Sequence, residues 1–257
     1  MSAAVLASGV LQKLSWKSRY TVRFAGSEQE IQMALRLRYE VFNLELNEGL
    51  QESHATGLDR DAFDDVCEHL IVTDGHNGQV VGTYRMQTGR TAARHRGYYS
   101  EREFDFSAFE PIRESLVELG RACVHRDHRT LGVIGLLWRA IARYAKDNGA
   151  RYLVGCSSLT SQDPALGWAM FARLSADYLA PAHLRTRPTG AFAVPASAPL
   201  DDCPPPPRLL RTYLGMGARI CGPPAIDREF GTIDFLTILD YEKAAAAALG
   251  HFLPELS

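Results

Sequence analysis

Apolar and polar residues alternate along Tyr20–Phe24, a strand pattern that Gly26-Ser27 ends. Ser27 followed by Glu30 is a capping box. It predicts a helix to about Leu46, with Ile31, Ala34, Leu35, Tyr39 and Phe42 on one face. Residues 47–65 are polar and loop-like. The apolar run His69–Thr73 and the run Val80–Gln87, separated by Gly75–Gly78, predict a hairpin. Residues 89–111 form a long connection, basic first and then aromatic and acidic, and connections of that length usually have a function. Leu116–Val124 reads as a strand. Gly132–Asn148 reads as a helix with Val133, Leu136, Leu137, Ala140, Ile141 and Tyr144 inward, ended by Asn148-Gly149. A strand at Arg151–Ser157 and a helix from Pro164 to about Ala176 follow. The chain then closes with a short helix at Leu209–Met216, strands at Ala218–Cys221 and Ile233–Leu239, and an Ala-rich helix at 241–250.

This order predicts a mixed α/β fold, with helices around one central mixed sheet, a hairpin early and helix crossovers later. Residues 20–250 form a single domain. Residues 180–207, rich in proline and poor in apolar periodicity, form a surface excursion without a core of their own. Residues 1–19 could form a short amphipathic helix that touches a membrane surface, although a docked or frayed terminus is the simpler expectation.

Composition narrows the function. The apolar and charged fractions, 46% and 23%, are ordinary for a soluble protein. Lys plus Arg is 28 against 30 Asp plus Glu, so global charge gives no reason to expect nucleic acid. No apolar run approaches the ~18–20 residues of a membrane span, and no signal peptide is read at the N-terminus. Five cysteines without C-x-x-C spacing fit reduced thiols and not a disulfide frame.

The stretch from Leu116 to Trp138 carries the strongest sign of chemistry. Glu118 and Arg121 are three apart, so a regular strand would place them on opposite faces. Gly120 between them marks a bulge, and one extra residue brings both to one side, as an ion pair in a site or in a core strand. Asp61, Asp64 and Asp65 precede a strand. There they could hold a cationic substrate or a metal, or form a solvated edge. Cys123 reads as a small buried residue rather than a nucleophile. Cys123, His125 and His128 match no zinc spacing, so no metal is expected.

With those residues in view the chain resembles the GNAT superfamily of N-acyltransferases, in which the strand–loop–helix at 116–138 holds the pantetheine arm of the acyl donor. More narrowly, Arg38-x-x-x-Phe42, Asp61-x-x-Asp64, Gly82-x-x-Arg85 and Glu118-x-x-Arg121 occur in the order found in acyl-homoserine-lactone synthases. The stretches 118–125, Tyr99–Phe104, Tyr213–Ala218 and Cys221–Phe230, with Asp234-Phe235, resemble the ornithine N-alpha-acyltransferases, a family also labelled hemolysin-like. CoA-dependent relatives cradle a pyrophosphate with Gln/Arg-x-x-Gly-x-Gly/Ala. Here Arg129-Thr-Leu-Gly132-Val-Ile134 ends in a branched residue, which favours the single phosphodiester of an acyl-carrier protein.

The resemblance implies transfer of a 3-hydroxyacyl group from acyl-carrier protein to the α-amine of ornithine. No bound cofactor is expected, and the location is cytoplasmic, at most peripheral to a membrane. Glu118 would accept the amine proton, directly or through water, and Arg121 would orient Glu118 or the substrate carboxylate. Amides around Gly120 and at Cys123–Val124 would stabilise the oxyanion. Arg129 and Gly132 would meet the donor's phosphate, and Ser157 its amide. Asp61 and Asp64 would take a second positive charge on the acceptor. Arg38 and Arg85 would pair with those acids or with the substrate carboxylate, with Phe42 beside them. The alternatives are an N-acyl amino acid synthase for glycine or tyrosine, and a membrane-active protein without catalysis.

Overall fold

The computed structural model describes residues 19–198, 200 and 202–247. Of the amphipathic segment expected at 1–19, residues 1–18 lie outside them. Strand β1 (Tyr20–Phe24) leads into helix α1 (Glu28–Tyr39), whose N-cap is Ser27: its hydroxyl accepts from the Glu30 amide. The helix continues as a π-helical turn over Glu40–Glu45. A one-turn helix α2 (Ser53–Thr56) interrupts the polar loop. The hairpin is β2 (Glu68–Asp74) and β3 (Val80–Thr88). The long connection holds a short helix α3 (Gly89–Arg94) and 3-10 turns at Tyr99–Arg102 and Ser107–Ser115. Strand β4 (Leu116–Val124) feeds helix α4 (Leu131–Asp147), then β5 (Tyr152–Leu159) and α5 (Pro164–Tyr178). Helix α6 (Arg208–Gly215), β6 (Arg219–Ile220), β7 (Ala225–Asp227), β8 (Thr232–Asp240) and α7 (Tyr241–Ala247) complete the order. The sequence pattern had shown no strand at β7, and β6 is shorter than the apolar run suggested.

One mixed sheet runs β1-β2-β3-β4-β5-β8-β6, with β7 on β8. All pairs are antiparallel except β4 with β5. Strand alternation assigns the faces. Leu70 and Val72 pack with Val133, Leu137 and Ile141 of α4, whereas Ile71 packs with Ala34, Leu37 and Val41 of α1. Gly82 lets α4 come close, because a Cβ there would lie 3.3 Å from Val133 Cγ1. The described residues of 180–207 make no sheet strand. They pin themselves down with isolated bridges, Phe104 to Pro188 and Ala193 to Ala225.

Along β4 the alternation changes phase. Val117 and Leu119 pack on the α4 side, and so do Ala122 and Val124. The extra residue is real: Thr83 pairs with Cys123 and Arg85 with Gly120, so Tyr84 opposes both Arg121 and Ala122. The strained backbone is at Arg121, with φ 50°, and not at Gly120. Beyond Glu118, which pairs with Val154, β4 and β5 separate. Gly155 stands at the fork, where a Cβ would lie 2.2 Å from the Leu119 carbonyl oxygen. We expect Gly155→Ala to push the strands apart and destabilise by about 2 kcal/mol or more. A melting temperature within a degree of wild type would contradict this.

Candidate active site

Arg38 lies on the buried side of α1 and is fully hidden from solvent. A lone arginine there would be very costly, so it is paired. Its Nε donates to Asp59 Oδ2 at 2.7 Å, and its two terminal nitrogens donate to Asp64 at 2.7 and 3.1 Å. Arg85 on β3 donates to Asp61 Oδ1 at 2.6 Å and to Asp64 Oδ1 at 3.1 Å. Arg121 reaches Asp61 Oδ2 at 3.0 Å and Asp59 Oδ2 at 3.2 Å. Its guanidinium lies between the rings of Tyr99, at 4.9 Å, and Phe230, at 4.4 Å. Three arginines thus meet three aspartates. Arg38 and Arg85 both pair with the acids. This leaves Asp61 and Asp64 without an unmatched charge for a cationic acceptor. Asp59, which the motif spacing did not single out, is the third acid.

Burial opposes ionisation of Asp64, but the charges of Arg38 and then Arg85 prevail and hold its carboxyl well below the ordinary range. His69, behind it, is pushed down by burial, and its Nε2 lies 3.1 Å from the Asp64 carbonyl.

Glu118 and Arg121 do lie on one side of the sheet, but they are not an ion pair. Arg121 is committed to Asp59 and Asp61 and meets the Tyr99 ring, while the Tyr99 amide donates to Glu118 at 2.8 Å. The Glu118 carboxylate is saturated. Oε2 accepts from Gln87 Nε2 at 2.6 Å as well as from Tyr99, and Oε1 accepts from the amide and hydroxyl of Ser100 at 2.8 and 2.7 Å. Of these four donors only the Ser100 hydroxyl rotates and can itself accept a proton.

Where β4 and β5 part there is a cavity of about 310 Å³. Its walls include Glu118–Ala122 of β4, Leu153–Ser158 of β5 and residues of α6. One part is apolar, with Met86, Leu119, Trp138 and Leu210. The other is charged, with Glu118, Arg121, Glu48, Asp227 and Asp234. Phe42 also lines it and meets Phe230 edge-on at 5.4 Å.

The residues expected to bind the donor divide. His125 donates to the Val81 carbonyl at 2.9 Å. Antiparallel alternation therefore turns the Cys123 amide toward β3 and the Val124 amide away from it. Cys123 is buried in the α1 core, its thiol pushed up by burial, and it does not reach the cavity wall. Arg129 is held by Glu45, at 2.6 and 2.8 Å, and by the Val124 carbonyl at 3.0 Å. Gly132 is exposed in the first turn of α4, where the Thr130 hydroxyl accepts from Val133. Ile134 is half-buried against the core, which takes part of its bulk away from the loop. Ser157 lines the cavity, with its hydroxyl 3.1 Å from that of Thr237. Tyr99, Ser100, Asp227, Phe230 and Asp234 fall in stretches whose resemblance was visible, although nothing in their spacing gave them a role.

Comparisons with known proteins identify the family and the fold. Residues 37–139 match the family described as Acetyltransferase (GNAT) domain. An L-ornithine N(alpha)-acyltransferase of Rhodobacter capsulatus is 32% identical over 235 residues, 86% of this chain and 90% of that protein. An N-acyl amino acid synthase from uncultured soil microbes has the same fold, with TM-score 0.54, 12% identity, and 91% and 96% of the two chains covered. So has the acyl-homoserine-lactone synthase LasI, with TM-score 0.51, 12% identity, and 87% and 91% covered. The chain belongs to the L-ornithine N(alpha)-acyltransferase family and is an acyltransferase of the GNAT type.

Removing one partner from the buried network leaves an uncompensated charge, so Asp64→Asn is expected to cost about 3–5 kcal/mol. The carboxyl is depressed in the folded state. Its contribution is therefore present above the unfolded value near 4 and is lost as pH falls through and below it. The gap in melting temperature between wild type and Asp64→Asn should be constant from pH 6 to 8 and narrow below about pH 4. A gap that does not change with acid would contradict this.

Proposed function

We propose that the protein transfers a fatty acyl group, in the fullest reading a 3-hydroxyacyl group, from the phosphopantetheine thioester of acyl-carrier protein to the α-amine of L-ornithine, giving lyso-ornithine lipid. The observation that carries this is the cavity at the fork of β4 and β5, apolar in one part and charged in the other, in a chain whose near full-length relative bears the ornithine acyltransferase name. The apolar part suits an acyl chain and the charged part an amino acid. Past the fork, the facing edges of β4 and β5 pair with no strand of the other. An extended arm that contains amides can lie between them as an added strand would.

The amine attacks the thioester carbonyl, the C–N bond forms, and the C–S bond breaks to release a thiolate, which takes up the proton given by the nitrogen and leaves as the thiol. The attacking nitrogen gives up a proton, and Glu118 accepts it, directly, through water, or through the Ser100 hydroxyl that already touches it. Arg121 and Arg85 are the network arginines on the cavity wall, and they can face the acceptor's carboxylate. The Val124 amide, turned away from β3, and the amides at the bulge are the oxyanion donors. Arg129 already neutralises Glu45, and the Thr130 hydroxyl already caps α4. What is left at that helix start fits one phosphodiester better than a pyrophosphate, which favours the carrier protein over CoA. A location at a membrane surface is reasonable for a lipid product, and no described helix is long and apolar enough to cross a membrane.

The test is a purified-enzyme assay with 3-hydroxyacyl-carrier protein and single amino acids, read by mass spectrometry. N-acyl-ornithine is the expected product. Product from acyl-CoA alone would overturn the donor assignment. Product from glycine or tyrosine but not ornithine would overturn the acceptor. In the same assay Glu118→Gln should lower kcat about 100-fold or more without loss of fold. A near-normal rate across pH 6–9 would remove Glu118 as the base.

A further inference from the structure

The cavity contains acids that no arginine matches. Asp227 on β7 and Asp234 on β8 line its wall, and Glu103 lies beside them with 1% of its surface exposed. One carboxylate oxygen of each lies within 4.8 Å of the others. Asp227 has donors: the amides of Glu229 and Phe230, each at 2.9 Å, and the Tyr99 hydroxyl at 3.3 Å. Asp234 Oδ2 accepts from the Thr232 hydroxyl at 3.1 Å. Neither oxygen of Glu103, nor Oδ1 of Asp234, receives a hydrogen bond from a described amide, hydroxyl or cationic group; the two carboxyls are left to bond each other through a proton held between them. Buried acceptors are seldom left this way. Burial, followed by the charges of Asp234 and Asp227, raises Glu103 well above the ordinary range. Burial, opposed in part by the Ser158 hydroxyl, and then the charge of Asp227 push Asp234 up to about 6. The group is short of positive charge.

We propose that Asp234, Asp227 and Glu103 bind the side-chain ammonium of the acceptor and so select a diamino acid over a neutral one. This rests on the acyl-transfer reading above. An ammonium has three N–H donors, and three oxygens within 4.8 Å of one another allow one nitrogen to sit about 2.8 Å from each. The Tyr99 ring sets the spacing. Arg121 lies over its face, and Asp227 takes its hydroxyl. A carboxylate at Arg121 and an ammonium at Asp227 are then about one tyrosine apart, within reach of a three-methylene side chain. The Asp61 and Asp64 carboxylates, fully answered by arginine, offer no such site.

The test compares ornithine with norvaline, which has the same chain without the ammonium, using 3-hydroxyacyl-carrier protein and the full-length enzyme. Wild type should prefer ornithine by about 100-fold in kcat/KM. Asp234→Asn and, separately, Glu103→Gln should raise the KM for ornithine and reduce that preference about ten-fold or more, with kcat less affected. Melting curves identify any variant that fails to fold, and the other variant then decides. An equal loss for both acceptors would make the group structural and overturn the proposal. Equal use of both acceptors by wild type would overturn it while leaving acyl transfer standing. No product with any amino acid would instead remove the acyl-transfer reading. Loss of ornithine selectivity with a chelator, restored by magnesium or calcium, would show a metal site and also overturn it.

Discussion

The mutual neutralisation of Arg38, Arg85 and Arg121 by Asp59, Asp61 and Asp64 sets the geometry of the rest. Buried ion pairs add little net stability compared with apolar packing, yet they are costly to break. The role of this network is therefore positional. It draws the loop before β2 onto α1 and the sheet, and it requires the Arg121 side chain to reach inward. Arg121 meets that requirement with a left-handed backbone and a bulge. The bulge changes the phase of β4 and coincides with its departure from β5. The cavity opens where the two strands part. Charge pairing, strand register and the space for substrate form one causal sequence.

Within that space the electrostatics divide in two. Near Arg121 every charge has its opposite, and against the opposing effect of burial the neighbouring arginines hold the carboxyls of Asp61 and Asp64 below the ordinary range. Near Asp234 burial, and then the charges of neighbouring acids, raise the carboxyls of Glu103 and Asp234. Glu48 shares this environment: burial, opposed by the Thr160 hydroxyl, and then the charge of Asp234 raise its carboxyl. The first region is set as the chain folds. The second has a charge deficit that a cationic ligand can fill.

Much of the fold could be read from the chain because periodicity and capping are local. The bounds of β4, the Ser27 cap and the Gly120 bulge region followed from residue spacing alone. Strand β7 could not be read that way, since three residues carry no period. In the site, the motif residues Arg38, Asp61, Asp64, Arg85 and Arg121 do converge, but their partners had to be seen in three dimensions. Spacing suggested a Glu118–Arg121 pair, whereas the fold gives Glu118 to the 99–100 turn and Arg121 to the aspartates. The acids at 103, 227 and 234 are spread over more than 130 positions, and only the pairing of β7 with β8 and the turn after Tyr99 bring them together.

A diamino acceptor also poses a problem of choice that binding strength alone does not solve. Acylation needs a neutral amine, and a side-chain amine that lost its proton would be as good a nucleophile as the α-amine. In solution the α-amine loses its proton first, since its pKa lies roughly two units or more below that of an alkyl ammonium. Carboxylates set against the ammonium widen that difference, because they favour its charged form. In the proposed reaction Glu118, with the Ser100 hydroxyl bonded to it on the cavity wall, would take the proton from the other nitrogen. On that proposal, the acids at 103, 227 and 234 and the carboxylate of Glu118 would separate two chemically similar amines, keeping one protonated and inert and taking the proton from the one that meets the thioester.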